Sequence, residues 1–367
     1  MVPKEWKIKT IGDIATVSSG GTPNRKEQAY WNGDIPWVTT AEVQFKTILD
    51  SAEKITKEGL TNSSAKLFPI NTILMAMYGQ GKTRGQVAKL GIEASTNQAC
   101  AAIILSSDYC VDYYYQFLIY QYENIRNMSN SGSQENLSGS IVKSIPVLVP
   151  PYFEQEKIAQ ILSTWDQAIS TTEKMLQNSQ QQKKALMQQL LTGKKRLLDE
   201  NGVKFSDEWQ RIELGLLLDY QQPTPYLVES TAYSDSYETP VLTAGKTFIL
   251  GYTNESSGIY QDQLPVIIFD DFTTDSKYVN FPFKAKSSAM KILTAKKGVS
   301  IKFVFEAMQM LQFTVGGHQR HWISIFSNLV IPLPNKKEQQ QIAEVLSLAD
   351  QEIETLQKKL DCLQQEK

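Results

Sequence analysis

The sequence predicts an α+β fold in which two globular halves alternate with two long helices that pair with each other. One observation behind this prediction is an internal repeat that includes both halves of the chain. A second is a seven-residue spacing of apolar residues in the best-preserved part of that repeat. The third is the series of short apolar runs separated by Gly, Asn, Ser and Pro in each half, which indicates twisted sheets with long loops.

The internal repeat is clearest where residues 154–162 reappear at 338–346, a shift of 184 residues. Identical pairs at this shift include Pro150/Pro334, Glu154/Glu338, Gln155/Gln339, Ala159/Ala343 and Asp166/Asp350. Each half also opens alike, with Glu5-Trp6 in the first and Glu208-Trp209 in the second. Because a repeat of this kind defines the folding unit, we interpret the chain as a duplication of one globular part followed by one helix.

The repeated segments are predicted to be helices that begin after Pro150-Pro151 and Pro334, since proline suits the first turn of a helix. Their apolar stripe is narrow, so we expect a partner helix to cover it. The expected helix-pair interface consists of Ile158, Leu162, Trp165, Ile169 and Leu176 in the first copy and Ile342, Leu346, Ile353, Leu356 and Leu360 in the second. Thr172, Ser179 and Lys183 interrupt the first stripe.

The predicted boundaries are 1–150 and 198–334 for the globular domains, with helical regions at 151–197 and 335–367. Within the globular domains, residues 71–77 and 264–269 are predicted to be buried strands. Residues 141–150 and 325–334 are each predicted to form a last strand that leads into a helix.

The composition, 41% hydrophobic and 21% charged, is typical of a soluble globular protein. No apolar run approaches the ~20 residues of a membrane span, and no signal peptide is recognisable. The three cysteines cannot all pair, and His318 and His321 have no third metal ligand nearby in sequence. We therefore expect a cytoplasmic protein with reduced thiols, no bound metal and no membrane partner.

A net charge of −2 argues against a strongly basic nucleic-acid binder. Each half nevertheless contains a basic stretch without carboxylates, at residues 59–92 and 276–305. Lysines with aromatic residues nearby are typical of a surface that binds phosphates. A solvated sheet face explains either stretch alone equally well, but the presence of one in each half favours a shared ligand.

Apparent catalytic motifs are incomplete. The run Gly79-Gln80-Gly81-Lys82-Thr83 lacks the first glycine of a phosphate-binding P-loop and is not followed by an apolar helix. It suits DNA phosphates or guanine edges at least as well. Val149-Pro150-Pro151-Tyr152 lacks the asparagine that holds the target amine in amino-methyltransferases. The acidic residues Asp270, Asp271 and Asp275 are expected to form an exposed turn, so no catalytic residue is predicted.

The sequence resembles the specificity (S) subunit, the HsdS family, of type I restriction-modification enzymes. The resemblance covers the whole chain and rests on the helix starts with Glu-Gln and Ile-Ala-x-Ile/Val-Leu, on Gly-Ser-Gln-Glu-Asn-Leu at 132–137 and on residues 182–194. It implies two α/β target-recognition domains, each reading one part of a bipartite site in double-stranded DNA. It also implies that the two helices pack antiparallel as a coiled coil that separates these domains.

The resemblance implies further partners and no catalytic activity in the chain itself. Two modification (HsdM) subunits, which would carry S-adenosylmethionine, are expected on the helices, and restriction (HsdR) subunits are expected to join them. The sequence departs from the family pattern in two places. Residues 316–322 match the 132–137 motif only loosely, and the chain ends at Lys367, which corresponds to Lys183 of the first copy, where the first helix continues. The second helix is therefore expected to be shorter by about 8 residues, or roughly 12 Å.

Candidate DNA contacts follow from side-chain chemistry, since Arg and Lys suit guanine whereas Gln and Asn suit adenine. The candidates are Gln80, Lys82, Thr83, Arg84, Gln134 and Asn136 in the first half and Lys277, Lys291, His318, Gln319 and Arg320 in the second. The alternatives are a self-contained restriction or methyltransferase enzyme with fused recognition domains, and a coiled-coil scaffold without DNA. The incomplete motifs disfavour the enzyme, and the basic stretches disfavour the scaffold.

Overall fold

The computed structural model describes residues 3–79, 81–128, 136–243, 247–311 and 321–367 as a mixture of strands and helices, an α+β protein. The chain divides into two compact units, Met1–Ala168 with Lys367 and Ile169–Glu366. One long helix, Tyr152–Leu190, contributes to both units. None of the described helices has the length and hydropathy of a membrane-spanning segment.

The described residues of the first unit form three sheets. Its strands are β1 (Lys7–Thr10), β2 (Ala15–Ser19), β3 (Trp31–Val38), β4 (Thr47–Ile48), β5 (Glu53–Ile55), β6 (Ile73–Ala76), β7 (Val87–Leu90), β8 (Ser95–Thr96), β9 (Cys100–Leu105) and β10 (Pro146–Val149). The central sheet has the order β2-β9-β6-β7-β4, a smaller sheet has the order β5-β3-β8, and β1 pairs with β10. Strand β6 is buried along its whole length, as its uninterrupted apolar sequence predicts.

The helices of the first unit are α1 (Ile11–Ile14), α2 (Lys57–Thr61), α3 (Val111–Tyr120), α4 (Tyr122–Asn127), α5 (Gly139–Ser144) and α6 (Tyr152–Leu190). All except α2 contribute to a core on one face of the central sheet, whereas Leu60 of α2 packs against the smaller sheet. Tyr113, Tyr114 and Leu118 of α3 pack into one core with Ile73 and Met75 of β6. The first turns of α6 join this core through Ala159.

The second unit repeats this arrangement. Its strands are β11 (Gln210–Glu213), β12 (Leu218–Gln221), β13 (Thr239–Leu242), β14 (Ile249–Thr253), β15 (Val266–Asp270), β16 (Ser276–Val279), β17 (Lys284–Ala285), β18 (Met290–Ala295) and β19 (Val330–Leu333). Its helices, besides the end of α6, are α7 (Leu214–Leu217), α8 (Ile301–Gln309), α9 (His321–Ser324) and α10 (Lys336–Glu366). The sheets β12-β18-β15-β16, β14-β13-β17 and β11-β19 match those of the first unit strand for strand, except that β4 has no counterpart in the described residues.

The start of each long helix is held by the same hydrogen bonds. Gln155 accepts a bond from the N–H of Cys110 (2.9 Å) and donates to the carbonyl of Pro150 (2.8 Å). Gln339 makes both bonds with the same lengths to positions 300 and 334. Because these glutamines are buried, each satisfies polar groups that would otherwise be desolvated without a partner. The sequence repeat is therefore also a repeat of individual contacts.

Within the second unit, α6 and α10 touch through an apolar cluster and through polar contacts. The cluster consists of Leu176, Leu356 and Leu360, with Ile169 and Ile353 packed against it. The hydroxyl of Ser179 donates to Glu352 (3.0 Å), and Lys183 lies 2.6 Å from Asp350. Residues further along α6 contact residues earlier in α10. The two helices therefore run in opposite directions where these contacts form.

The other predicted interface residues pack differently. Ile342 and Leu346 lie in the main hydrophobic core of the second unit. Ile158 packs against the core of the first unit, and Leu162 and Trp165 are half-buried. Near the start of each long helix, the apolar stripe therefore packs into the core of its unit. Further along, it forms the contact between α6 and α10.

The predicted last strand of each half is wrong in its first part. Residues 139–144 form helix α5, because the hydroxyl of Ser138 caps it by accepting from the N–H of Ile141 (3.2 Å). In the second unit, Phe326–Asn328 form a 3-10 turn. The strands that follow, β10 and β19, are four residues each, a length too short for periodicity to separate them from the preceding turns.

Candidate nucleic-acid interface

The glycine-rich loop of the first half connects β6 and β7, which form an antiparallel hairpin. The N–H of Gly85 donates to the carbonyl of Ala76 (2.8 Å) and closes the loop. Gly79 has a φ of +134°, and an added Cβ would lie 2.9 Å from the Cβ of Thr83, so this position requires glycine. Because a strand follows the loop, and not a helix, the phosphate-binding P-loop is not formed.

A tyrosine outside the basic stretch holds this loop in place. The hydroxyl of Tyr122 donates to the backbone carbonyl of Lys82 and accepts from Arg126 (2.8 Å). The Tyr122 ring packs edge-on against Phe45, with 5.1 Å between ring centroids. The backbone at Lys82 is thus fixed while the residue remains exposed. Sequence reasoning missed Tyr122 because its partners are distant in the chain.

The predicted contacts of the first hairpin differ in exposure. Lys82 is exposed and Thr83 is half-buried. Arg84 is 8% exposed and already interacts within the protein. Gln80 lies outside the described residues. Among the three described candidates of this hairpin, Lys82 is therefore the most available to a ligand.

Asn136 lies beside the start of the same hairpin. The N–H of its neighbour Leu137 donates to the carbonyl of Met77 (2.9 Å), directly after β6. Asn136 is half-buried, and Gln134 lies outside the described residues. The structure therefore brings one of the two secondary candidates to the glycine-rich loop.

The corresponding hairpin of the second unit joins β15 to β16 through residues 271–275. The carboxylate of Asp270 accepts from the N–H of Phe272 (2.9 Å), and that of Asp271 accepts from the N–H of Trp322 (2.9 Å). Both carboxylates are buried. The expectation of a turn is confirmed, but the expected exposure is wrong for Asp270 and Asp271, because they satisfy backbone donors.

Lys291 does not face solvent, contrary to its prediction as a base contact. It is 1% exposed, lies 3.2 Å from Asp271 and donates to Gln222 (3.1 Å). A buried ammonium group requires such partners, so Lys291 supports the hairpin from inside. The sequence shows a lone lysine among the apolar residues of β18 and two aspartates at the end of β15, but that these two strands are neighbours is known only from the structure.

Another lysine of the same basic stretch is also internal. Lys284 is 2% exposed, lies 2.7 Å from Glu255 and donates to the carbonyl of Ser257 (2.7 Å). The hydrogen bond from Lys284 holds the pKa of Glu255 below its ordinary value. Lys277, by contrast, is exposed on β16. The second basic stretch is therefore a mixture of structural and surface lysines, which sequence spacing did not separate.

The remaining candidates of the second half, His318, Gln319 and Arg320, lie outside the described residues. Within the part of the chain that the structure describes, no group of three or more His, Cys, Asp or Glu side chains is placed to hold a metal ion. The two hairpins, with Lys82 on one and Lys277 on the other, are accordingly the candidate interface.

Known proteins are similar to this chain in sequence and in fold. The type I restriction modification DNA specificity domain matches residues 3–179 and again 206–365. The Escherichia coli EcoR124I/EcoR124II specificity subunit is 54% identical over 132 residues, which is 35% of this chain and 32% of that protein. The Methanocaldococcus jannaschii MjaIX specificity subunit is 34% identical over 178 residues, 47% of this chain and 40% of that protein. The chain thus spans less than half the length of these two relatives.

The fold matches over a longer range. A crystal structure of a type I restriction-modification S subunit from M. genitalium superposes with a TM-score of 0.70 at 15% identity. The match covers 99% of this chain and 93% of that one. At this identity the likeness concerns the fold, whereas the two family matches include most of the sequence. The chain therefore belongs to the type I restriction modification DNA specificity family.

Proposed function

We propose that the chain is the sequence-specific DNA-recognition subunit of a type I restriction-modification complex. Each half reads one part of a bipartite site in double-stranded DNA. The observation that carries this proposal is the double family match, one match beginning in each unit. The presence of a hairpin with an exposed lysine in each unit, Lys82 and Lys277, is consistent with two readers of the same ligand.

The proposal assigns domains 1–150 and 198–334 to recognition and regions 151–197 and 335–367 to a spacer. In this arrangement α6 and α10 form an antiparallel coiled coil that separates the two target-recognition domains. The apolar cluster around Leu176 and Leu356 supports this pairing, as do the contacts of Ser179 and Lys183. Since a helix rises about 1.5 Å per residue, the length of the pair sets the distance between the half-sites.

Two rigidly spaced readers explain how a chain with little net charge achieves specificity. Each mismatched base pair costs about 1–3 kcal/mol, and separated positions add. Two short half-sites therefore discriminate as well as one long contiguous site. Lys82, Thr83, Arg84, Asn136 and Lys277, together with Gln80, Gln134, His318, Gln319 and Arg320, are the proposed contacts.

The proposed partners are two modification (HsdM) subunits on the helix pair and restriction (HsdR) subunits joined to them, in the cytoplasm. S-adenosylmethionine would bind the modification subunits. The chain itself would be non-catalytic, which is consistent with the incomplete catalytic motifs of its sequence.

The test is to express the full chain with the modification subunits in a host and to sequence the methylated adenines. We expect a motif of two specified parts separated by unspecified bases. Exchanging residues 1–150 for the same half of a relative should change one part of the motif and leave the other. A contiguous motif, or methylation that does not depend on the chain, would contradict the proposal.

The alternative, a self-contained enzyme, is tested with the purified chain alone. Incubation with DNA and S-adenosylmethionine, or with DNA and Mg²⁺, should give neither methylation nor cleavage. Activity of the isolated chain would favour the enzyme over the recognition subunit.

A further inference from the structure

An aromatic residue occupies the same position in both hairpins. Tyr78 lies two residues after Ala76, which pairs with the first residue of β9. Phe272 lies two residues after Asp270, which pairs with the first residue of β18. Strands β9 and β18 are equivalent in the two sheets, since each is flanked by equivalent neighbours. Strand pairing therefore identifies Tyr78 and Phe272 as equivalent residues.

Both rings are exposed to the same extent, 42% for Tyr78 and 43% for Phe272. Isolated exposed apolar residues are common on protein surfaces, so one alone would carry no weight. Tyr152 and Phe153, which are also exposed, lack this correspondence, since lysines occupy the matching positions 336 and 337. An exposed ring at equivalent positions of two diverged units is better explained by a shared ligand.

The backbone next to each ring is fixed. In the first unit the carbonyl of Met77, the preceding residue, accepts from Leu137 (2.9 Å). In the second unit the N–H of Phe272 is bound by Asp270, and the preceding Asp271 accepts from Trp322 (2.9 Å). A ring presented by an anchored backbone loses little conformational entropy on binding. A fixed backbone at this position is more typical of a ligand-contacting residue than of an exposed residue without a binding role.

The charge around the rings indicates which ligand they meet. Each hairpin carries an exposed lysine a few residues after the ring: Lys82 follows Tyr78 by four residues, and Lys277 follows Phe272 by five. A cation that neutralises a phosphate, next to a planar ring that stacks on a base, is the combination by which proteins hold unpaired nucleotides. Stacking tolerates base identity, because every base has a π-face. That tolerance explains how the aromatic character persists while the two loops differ in sequence.

We propose that Tyr78 and Phe272 each stack on a base of one half-site, Tyr78 in the first and Phe272 in the second. This inference rests on the proposed DNA-recognition function and deepens it by assigning a stacking contact to each reader. A ring cannot stack on an interior base that is fully paired and stacked. The contacted base is therefore turned out of the duplex or partly unstacked from the adjacent base.

The test uses the full chain in complex with its modification subunits and a duplex that carries the motif found by methylated-adenine sequencing. Fluorescence anisotropy measures the affinity. Tyr78→Ala and Phe272→Ala should each weaken binding about ten-fold, whereas Tyr78→Phe and Phe272→Tyr keep the ring and should keep the affinity. Tyr220→Ala, which removes an exposed ring of β12, is the matched control and should leave the affinity unchanged.

Abasic nucleotides placed one at a time in the duplex identify the stacked base. At one position in the first half-site, wild type should bind the abasic duplex more weakly than the intact duplex. Tyr78→Ala, which already lacks the ring, should bind the two duplexes equally. An equivalent position for Phe272 should occur only in the second half-site. Unchanged affinity of both alanine variants, or equal losses for Tyr78→Phe and Tyr78→Ala, would overturn the stacking role. If wild type does not distinguish the motif from a scrambled duplex, the proposed function itself fails, and the stacking role fails with it.

Discussion

The ammonium group of Lys183 on α6 lies 2.6 Å from Asp350 on α10 and 3.1 Å from Glu306 on α8. Lys302 completes the group, 2.8 Å from Asp350 and 2.7 Å from Glu306. Two cations thus alternate with two anions where three helices of the second unit meet. Glu306 is fully buried, and its charge is tolerated there because both ammonium groups are present.

The first unit contains the equivalent of part of this group. Asp166, which corresponds to Asp350 by the shift of 184 residues, pairs with Lys367, which corresponds to Lys183. Gln116 of α3 also donates to Asp166. Each long helix therefore carries an aspartate that binds a lysine at the matching position of the other copy.

Replacing Lys183 by Met should destabilise the second unit. The substitution leaves two carboxylates with one ammonium group, and the free energy of unfolding should fall by roughly 2 kcal/mol. This is less than for a fully buried pair, because Asp350 is 38% exposed. Urea unfolding followed by tryptophan fluorescence measures the change. Lys184→Met, which alters an exposed neighbour on the same helix, should leave the midpoint unchanged.

The double variant Lys183→Met/Glu306→Gln tests the charge balance. It removes one charge of each sign and keeps the pair between Lys302 and Asp350. We expect it to be more stable than the sum of the two single changes indicates, since contacting residues couple. Simple additivity of the two losses would show that the four groups do not act together.

Stability should depend on acid pH through Asp350. Burial raises the pKa of Asp350, but hydrogen bonds from Lys183 and Lys302 outweigh it and hold the pKa below its ordinary value. A carboxyl with a lowered pKa stabilises the fold above its unfolded pKa of about 3.9, and this contribution is lost as the pH falls through the folded pKa. Wild type should therefore lose stability more steeply below about pH 5 than Asp350→Asn does.

Urea midpoints between acid and neutral pH measure this difference. The pKa of Lys302 changes in the other direction: burial lowers it, but hydrogen bonds to Asp350 and Glu306 raise it overall. The contribution of Lys302 is complete at pH values below its unfolded pKa, about 10.4, and is lost only above it. The acid slope therefore reports on Asp350, and parallel curves for wild type and Asp350→Asn would exclude this assignment.

Two glutamates at corresponding positions of the repeat, Glu154 and Glu338, should differ in their contribution to the free energy of unfolding. Glu338 is fully buried and accepts two bonds from Arg196 (both 2.6 Å) and one from Trp209 (3.1 Å). Glu154 is half-buried and accepts from Trp6 (2.9 Å). Removing a buried bidentate partner leaves the Arg196 charge without compensation, so Glu338→Gln should cost about 3 kcal/mol. Glu154→Gln should cost about 1 kcal/mol. Equal losses in urea unfolding would contradict the different roles.

The long helices and the buried strands could be predicted because their signal is local. The periodic apolar residues of α10 and the continuous apolar run of β15 are determined by neighbours a few residues away. The prediction that the two helices contact each other followed from the repeat itself, and Leu176 and Leu356 do lie in one apolar cluster. Periodicity was also sufficient to show that Lys183 interrupts a stripe, although not that it binds Asp350.

The surface of the candidate interface could not be predicted in the same way. Whether a lysine such as Lys291 or Lys277 faces solvent depends on partners from other strands, and the sequence does not show which aspartate is near. The same limit applies to Tyr122, which fixes the loop at Lys82 from a distant helix. Exposed rings were overlooked for a further reason: Tyr78 and Phe272 become equivalent only when the strand pairing is known.

Lys82 and Lys277 should contribute to DNA binding through phosphate neutralisation. Both are exposed, so neither should alter folding when replaced. In the complex with the modification subunits, Lys82→Ala and Lys277→Ala should each weaken binding similarly for specific and scrambled duplexes. Each should also reduce the slope of log affinity against log salt by about 1, because one fewer counterion is released. Lys57→Ala provides a comparison, since Lys57 is also exposed but lies on α2, outside both basic stretches, and should leave the salt slope unchanged. A loss confined to one base position of the motif would instead make Lys82 or Lys277 a base contact.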